Sequence, residues 1–120
     1  MFEYDDEFSP KSAEELRAIV ENPSRSVVYR GRSIAALGLK AKDDPSLVEE
    51  LLKWASDPGM RRTKWYGGVT LAWVAALAVG FSQTDTAIRQ RLSQVLATWD
   101  PRDVAALRSW SRSEPWLDAV

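Results

Sequence analysis

Apolar residues recur at helical spacing along most of the chain, and proline-containing polar breaks divide them into segments. Leu16, Ile19 and Val20 form a short stripe behind Ser12 and Glu15, the spacing of a capping box, and Asn22-Pro23-Ser24 ends it. A second helix is predicted from about Ser26 to Ala41, with Val27, Gly31, Ile34, Leu37 and Gly38 near one face. Asp44-Pro45 is a start signal, because the carboxylate caps and proline in the first turn lacks only an N–H that would be unpaired anyway. The third helix follows, with Val48, Leu51, Leu52 and Ala55 at helical spacing, and Asp57-Pro58-Gly59 closes it.

A fourth helix is expected from about Met60 to Val79. Its segment Trp65–Phe81 holds 17 residues without a charge. That length stands at the lower limit for crossing a bilayer. Its Ala and Gly content and the amphipathic character of the other segments point instead to a central helix packed on several sides. Gly67-Gly68 costs about 1 kcal/mol per glycine inside a helix, which close packing of a neighbour would offset. Ser82 or Thr84 is expected to cap a fifth helix carrying Ile88, Leu92, Val95 and Trp99, and Asp100-Pro101 begins a sixth with Val104 and Leu107. A last turn is expected at Ser113-Glu114-Pro115. No alternating apolar and polar run predicts a strand. The expected fold class is all-α, with about six helices in one domain of residues 1–120, residues 1–9 forming an extended arm and 10–120 a helical stack.

The segments repeat. Ile34-Ala35-Ala36-Leu37-Gly38 and Val74-Ala75-Ala76-Leu77-Ala78 are offset by 40 residues, as are Val48, Leu52, Ala55 and Ile88, Leu92, Val95. Asp57-Pro58 and Asp100-Pro101 stand 43 apart, and Val104-Ala105-Ala106-Leu107 begins a partial third copy. Over roughly residues 22–110 this pattern resembles HEAT or armadillo-type helical repeats. The resemblance implies a short right-handed α-α superhelix that uses its surface to bind. The inter-helix Asp and Arg pairing usual in such repeats is incomplete: Arg61 and Arg62 follow Asp57-Pro58, with no equivalent arginine in register ahead of the last helix.

Composition narrows the chemistry. The chain has no cysteine, so disulfides and thiolate nucleophiles are excluded, and no histidine, which removes the commonest general base and transition-metal ligand. No EF-hand spacing appears, so no metal or other cofactor is expected. The carboxylate pairs Asp5-Asp6, Asp43-Asp44 and Glu49-Glu50 lie in polar surroundings that would not tune them for acid–base work. The expected function is therefore non-enzymatic.

The net charge of −1 conceals a split: residues 1–21 hold seven acids against Lys11 and Arg17, and the remainder holds 14 bases and 10 acids. The basic excess is scattered, and acids interrupt the densest run, Arg61, Arg62 and Lys64, which argues against nucleic acid. An acidic beginning without a basic-then-apolar pattern argues against a cleaved signal, leaving the cytoplasm as the default location and no membrane partner.

Six tryptophans are many for this length. Trp73 reads as core; Trp54 stands at the edge of its helix's apolar stripe; Trp110 and Trp116 lie in a polar C-terminal stretch, where they either cap the stack or meet a partner. Because Trp and Arg dominate binding hot spots, the candidate partner-binding residues are Asp5, Asp6, Glu7, Glu49, Glu50, Trp54, Arg89, Arg91, Trp110 and Trp116. The leading expectation is a protein-binding module of the immunity or antitoxin type that masks another protein, such as a cognate toxin. An acidic arm suits a basic target such as a nuclease. The alternatives are a nucleic-acid-binding HEAT-like protein, as in HEAT-like DNA glycosylases, and an accessory subunit completed by a larger assembly.

Overall fold

A computed structural model describes residues 2–110. Helices account for 67% of these residues, as α1 (Ala13–Val20), α2 (Val27–Ala41), α3 (Val48–Ser56), α4 (Pro58–Arg62), α5 (Leu71–Ser82), α6 (Thr86–Leu96) and α7 (Pro101–Trp110), with a 3₁₀ turn (Pro45–Leu47) leading into α3. Two short strands, β1 (Lys64–Tyr66) and β2 (Val69–Thr70), form an antiparallel hairpin between α4 and α5.

Most helix starts follow local rules. Ser12 and Glu15 form both halves of the capping box of α1. Ser26 caps α2 and Asp57 caps α4 by accepting from Gly59 and Met60 N–H. Asp44 accepts from Ser46 N–H ahead of Pro45. The fifth predicted helix begins later than expected: neither Ser82 nor Thr84 caps it, and the Asp85 carboxylate accepts from Ala87 and Ile88 N–H. An ionised carboxylate is the stronger acceptor for the positive end of a helix.

The expected helix from Met60 to Val79 does not form. Helix α4 stops at Arg62, and the hairpin turns through Gly67, whose φ of +53° is left-handed. Glycine adopts that conformation without a Cβ penalty, and an aromatic–Gly–Gly–β-branched run is a hairpin signal. No atom lies within 4 Å of where a Cβ would stand on Gly67 or Gly68, so the pair makes a turn and offsets no helix contact. Thr70 restarts the helix, its hydroxyl accepting from Trp73 N–H.

Helix α5 is the centre of the molecule. Every residue from Leu71 to Gly80 is buried, and α2, α3, α4 and α6 all pack on it. Its lack of a polar face is thus the mark of a helix surrounded by protein, and among the described residues no helix is long and apolar enough to cross a membrane. Helix α2 lies on α5, and α3 packs on both α5 and α6. Positions 38 and 78, related by the 40-residue offset, meet directly, since a Cβ on Gly38 would stand 2.9 Å from that of Ala78. In the partial third copy Leu107 is buried while Ala105 and Ala106 are exposed.

A small residue admits a close neighbour at one further point. A Cβ on Gly31 would stand 2.6 Å from the Trp65 indole, so the absent side chain lets the hairpin lie on α2. Gly31→Ala is expected to cost about 1–3 kcal/mol by displacing that indole, a loss read by urea unfolding. Adding Trp65→Leu should recover part of it; a neutral Gly31→Ala change would mean that the hairpin does not rest there.

Candidate functional site

Residues 2–9 lie on the fold, pinned by their aromatic rings as their sequence suggests. The Asp5 carboxylate accepts from Glu7 N–H (2.9 Å) and Phe8 N–H (3.0 Å), and the Ser9 hydroxyl accepts from Asp5 N–H (2.8 Å), closing a tight turn. Arg32 on α2 donates to both Asp5 oxygens at 2.9 Å, and its guanidinium stands 4.4 Å from the centroid of the Phe8 ring. Tyr29, one turn earlier on α2, meets the same ring edge-on at 5.5 Å. Phe8 is only 1% exposed. At the other end of α2, Phe2 stacks on Phe81 with centroids 4.8 Å apart, over the space left by Gly38. The segment thus lies along α2, fastened at both ends by aromatic rings.

The bidentate hydrogen bonds from Arg32 favour the ionised form of Asp5 and hold its pKa at about 2, against 3.8 for a free carboxyl. The backbone N–H groups of Phe8 and Glu7 add to this, while partial burial opposes it. Because the folded pKa is the lower one, the stabilisation is complete at pH values above the unfolded pKa and lost as pH falls towards 2. Thermal melts of the protein and its Asp5→Asn variant should therefore differ by a constant amount above about pH 5 and converge between about pH 4 and pH 2. A constant gap across that range would show that the ion pair does not form in solution.

Around this cluster lie the exposed large apolar side chains among the described residues: Tyr4 at 69%, Val28 at 47% and Tyr29 at 41%. Glu3, Asp6 and Glu7 are exposed beside them. The surface is open, and its residues line none of the grooves described next.

The other sequence-predicted residues occupy different positions. Glu49 on α3 and Arg91 on α6 form a bidentate pair, one bond of 2.8 Å, that ties the two helices together. The hydrogen bonds from Arg91 lower the Glu49 pKa, and that of Arg91 rises in turn. With Leu52, Lys53 and Val95 they line an open groove of about 400 Å³. Glu50 is half-buried; one of its oxygens is shielded without a hydrogen bond and the other stands 3.9 Å from Arg17 of α1. It faces Arg17 of α1 across a helix contact. Arg89 turns inward, its Nε donating to Gln83 O at 3.1 Å, which locks the loop ahead of α6.

Trp54 requires the clearest correction. It is 1% exposed and belongs to the core. Helix α4, which follows at Asp57-Pro58, packs against α3, and its Met60 lies by the same groove as Trp54. It cannot anchor a partner without unfolding this corner. The Trp110 side chain and all of Trp116 lie outside the described residues, as does the turn expected at residues 113–115.

The structure thus brings Asp5, Asp6 and Glu7 to one surface and holds Glu49, Glu50, Arg89 and Arg91 elsewhere, mostly as ties between elements. The residues missing from the sequence-based set are Tyr4, Val28, Tyr29 and Arg32. A signal existed for one of them: Tyr29 lies off the buried face of α2 set by Gly31, Ile34 and Gly38, and an aromatic on a helix's polar side is a candidate contact. Among the described residues no group of three or more acidic side chains is placed to hold a metal ion. A scan against protein-family models gives no match, and searches of the curated proteins and of the solved structures give none either.

Proposed function

We propose that this chain is a non-enzymatic protein-binding module: a short HEAT-like stack that acts, in the manner of an immunity protein, by covering part of another protein. One observation carries the reading. Tyr4, Val28 and Tyr29 are exposed beside a segment whose own hydrogen bonds and ring contacts hold it rigid. Ordered aromatics on a pre-shaped surface bind at low entropic cost, because little freedom remains to be lost on association. The stacking of α2 on α5 and α3 on α6 at a 40-residue offset supports the repeat reading, and α5, surrounded on all sides, supplies a stiff base.

The test is affinity capture from the source organism with the full chain as bait, with and without nuclease, alongside a bait carrying Val28→Ser and Tyr29→Ser. One protein retained in stoichiometric amount, insensitive to nuclease and released by the double substitution, is the expected result. Retention that disappears on nuclease treatment would replace this reading with nucleic-acid binding. Failure to retain any protein at micromolar bait would overturn it.

A further inference from the structure

Met60 holds the one sulfur atom among the described residues, since the chain has no cysteine and its other methionine, Met1, lies outside them. We infer that Met60 is a modification site: a hydroperoxide converts its thioether to the sulfoxide, and Arg30 holds the new oxygen so that the fold survives.

The pairing of these two side chains carries the inference. Arg30 of α2 donates from Nη2 to Met60 Sδ at 3.9 Å and from Nε to Val20 O at 2.8 Å. The second bond fixes the planar guanidinium, so the first donor is aimed at the sulfur rather than swept past it. A thioether is a weak acceptor and packs well without any donor, whereas a guanidinium is among the strongest donors in a protein. The sulfoxide oxygen is the stronger acceptor, and a charge-assisted bond to it suits this donor better than the sulfur does. An oxygen added on the Arg30 side of Sδ would stand between the two, within hydrogen-bonding distance of the guanidinium.

Access and room come from the groove. Met60 is only 7% exposed, yet with Arg30, Asp57 and Thr63 it lines an open groove of about 390 Å³. A peroxide is little larger than a water molecule, whose share of liquid volume is about 30 Å³. The added oxygen would lie on this open side. The backbone of Met60 is held independently of its sulfur, its N–H donating to Asp57 Oδ1 at 3.2 Å and its carbonyl accepting from Thr63 N–H at 3.3 Å. In the reaction the Sδ lone pair forms an S–O bond with one peroxide oxygen as the O–O bond breaks. The departing hydroxide takes the proton left on the sulfur-bound oxygen and leaves as water. Sulfur is oxidised and the peroxide reduced by the same electron pair.

The experiment treats the full chain with hydrogen peroxide under native conditions, then digests it and maps the added mass by peptide; a sample in urea gives the unprotected rate. Native Met60 should gain one oxygen at no less than roughly a tenth of that rate, and protection of about a hundredfold or more would overturn the site. The oxidised protein should melt within about 3 °C of the reduced one. Oxidised Arg30→Gln should melt at least about 5 °C below its own reduced form, a difference within one variant from which the lost Val20 contact cancels. Equal shifts in the two proteins would overturn the role of Arg30. So would a shift that survives Met60→Leu in the Arg30→Gln background. Should Arg30→Gln not fold, the unsubstituted chain decides alone. Reductases specific for each sulfoxide epimer, applied to the Met60 peptide, should find one epimer at roughly nine-tenths or more, because one side of the sulfur faces the donor. An even mixture of epimers would overturn the proposal.

Discussion

A chain lacking residues 1–9 is expected to melt at least about 12 °C below the intact protein. The figure follows from Phe8 alone. Its ring is buried against Tyr29 and Arg32 at 1% exposure, and losing a buried phenylalanine costs about 3–5 kcal/mol. Each kcal/mol shifts the midpoint of a domain this size by roughly 4 °C. Deletion also removes the Phe2–Phe81 stack and the Asp5–Arg32 pair, so Arg32 loses its carboxylate and the α2 groove at Gly38 opens to water. Phe8→Ala alone should account for most of the loss, and calorimetry on the two variants would show it. A truncated chain melting with the intact one would mean that the segment does not lie on α2 in solution.

Trp54→Ala is expected to lower stability by about 3–5 kcal/mol, the range for deleting a fully buried large aromatic. The indole fills the corner where α3 ends and α4 turns back, with Met60 and Asp57 close by in the adjoining groove. The same corner is held from the other side by Trp99, whose Nε1 donates to Ala55 O at 2.8 Å, and by Arg61, which donates to Thr98 O at 2.9 Å. The structure cannot collapse freely into the space, so the cavity persists and the cost falls at the upper end. Leu92→Ala, at 0% exposure on α6, should cost about 2–5 kcal/mol on the same grounds. Glu49→Ala, which breaks only the exposed pair with Arg91, should cost under about 1 kcal/mol. Urea unfolding of the three variants tests the ordering. If Trp54→Ala were as mild as Glu49→Ala, the indole would be a surface residue after all.

Local chemistry made most helix starts legible in the sequence. Ser12 with Glu15, Asp44 with Pro45, Asp57 with Pro58 and Asp100 with Pro101 each state a start within a few residues, because capping involves groups only two or three positions apart. The apolar stripes of α1, α2 and α3 and the 40-residue offset were readable for a similar reason: each reflects a repeated local period. The all-apolar run after Gly68 announced a surrounded helix before any neighbour was known.

What the sequence by itself determined, then, is the helical class and the central place of α5. Tertiary structure decided the rest. From Trp65 onward the absence of charge masked the hairpin, because an uncharged run has no polar period to separate helix from strand; the left-handed turn at Gly67 and the seat of Trp65 on Gly31 settle it. The helical wheel of α3 leaves Trp54 at an edge, and only the packing of its neighbours brings it to 1% exposure. Charges that look free along the chain become ties across it: Asp5 with Arg32 over 27 positions and Glu49 with Arg91 over 42. A charge's partner is set by where distant helices meet, and a side chain's exposure by what covers it. Both are long-range properties, absent from any window of sequence, and they decide that the candidate surface lies at Tyr4, Val28 and Tyr29.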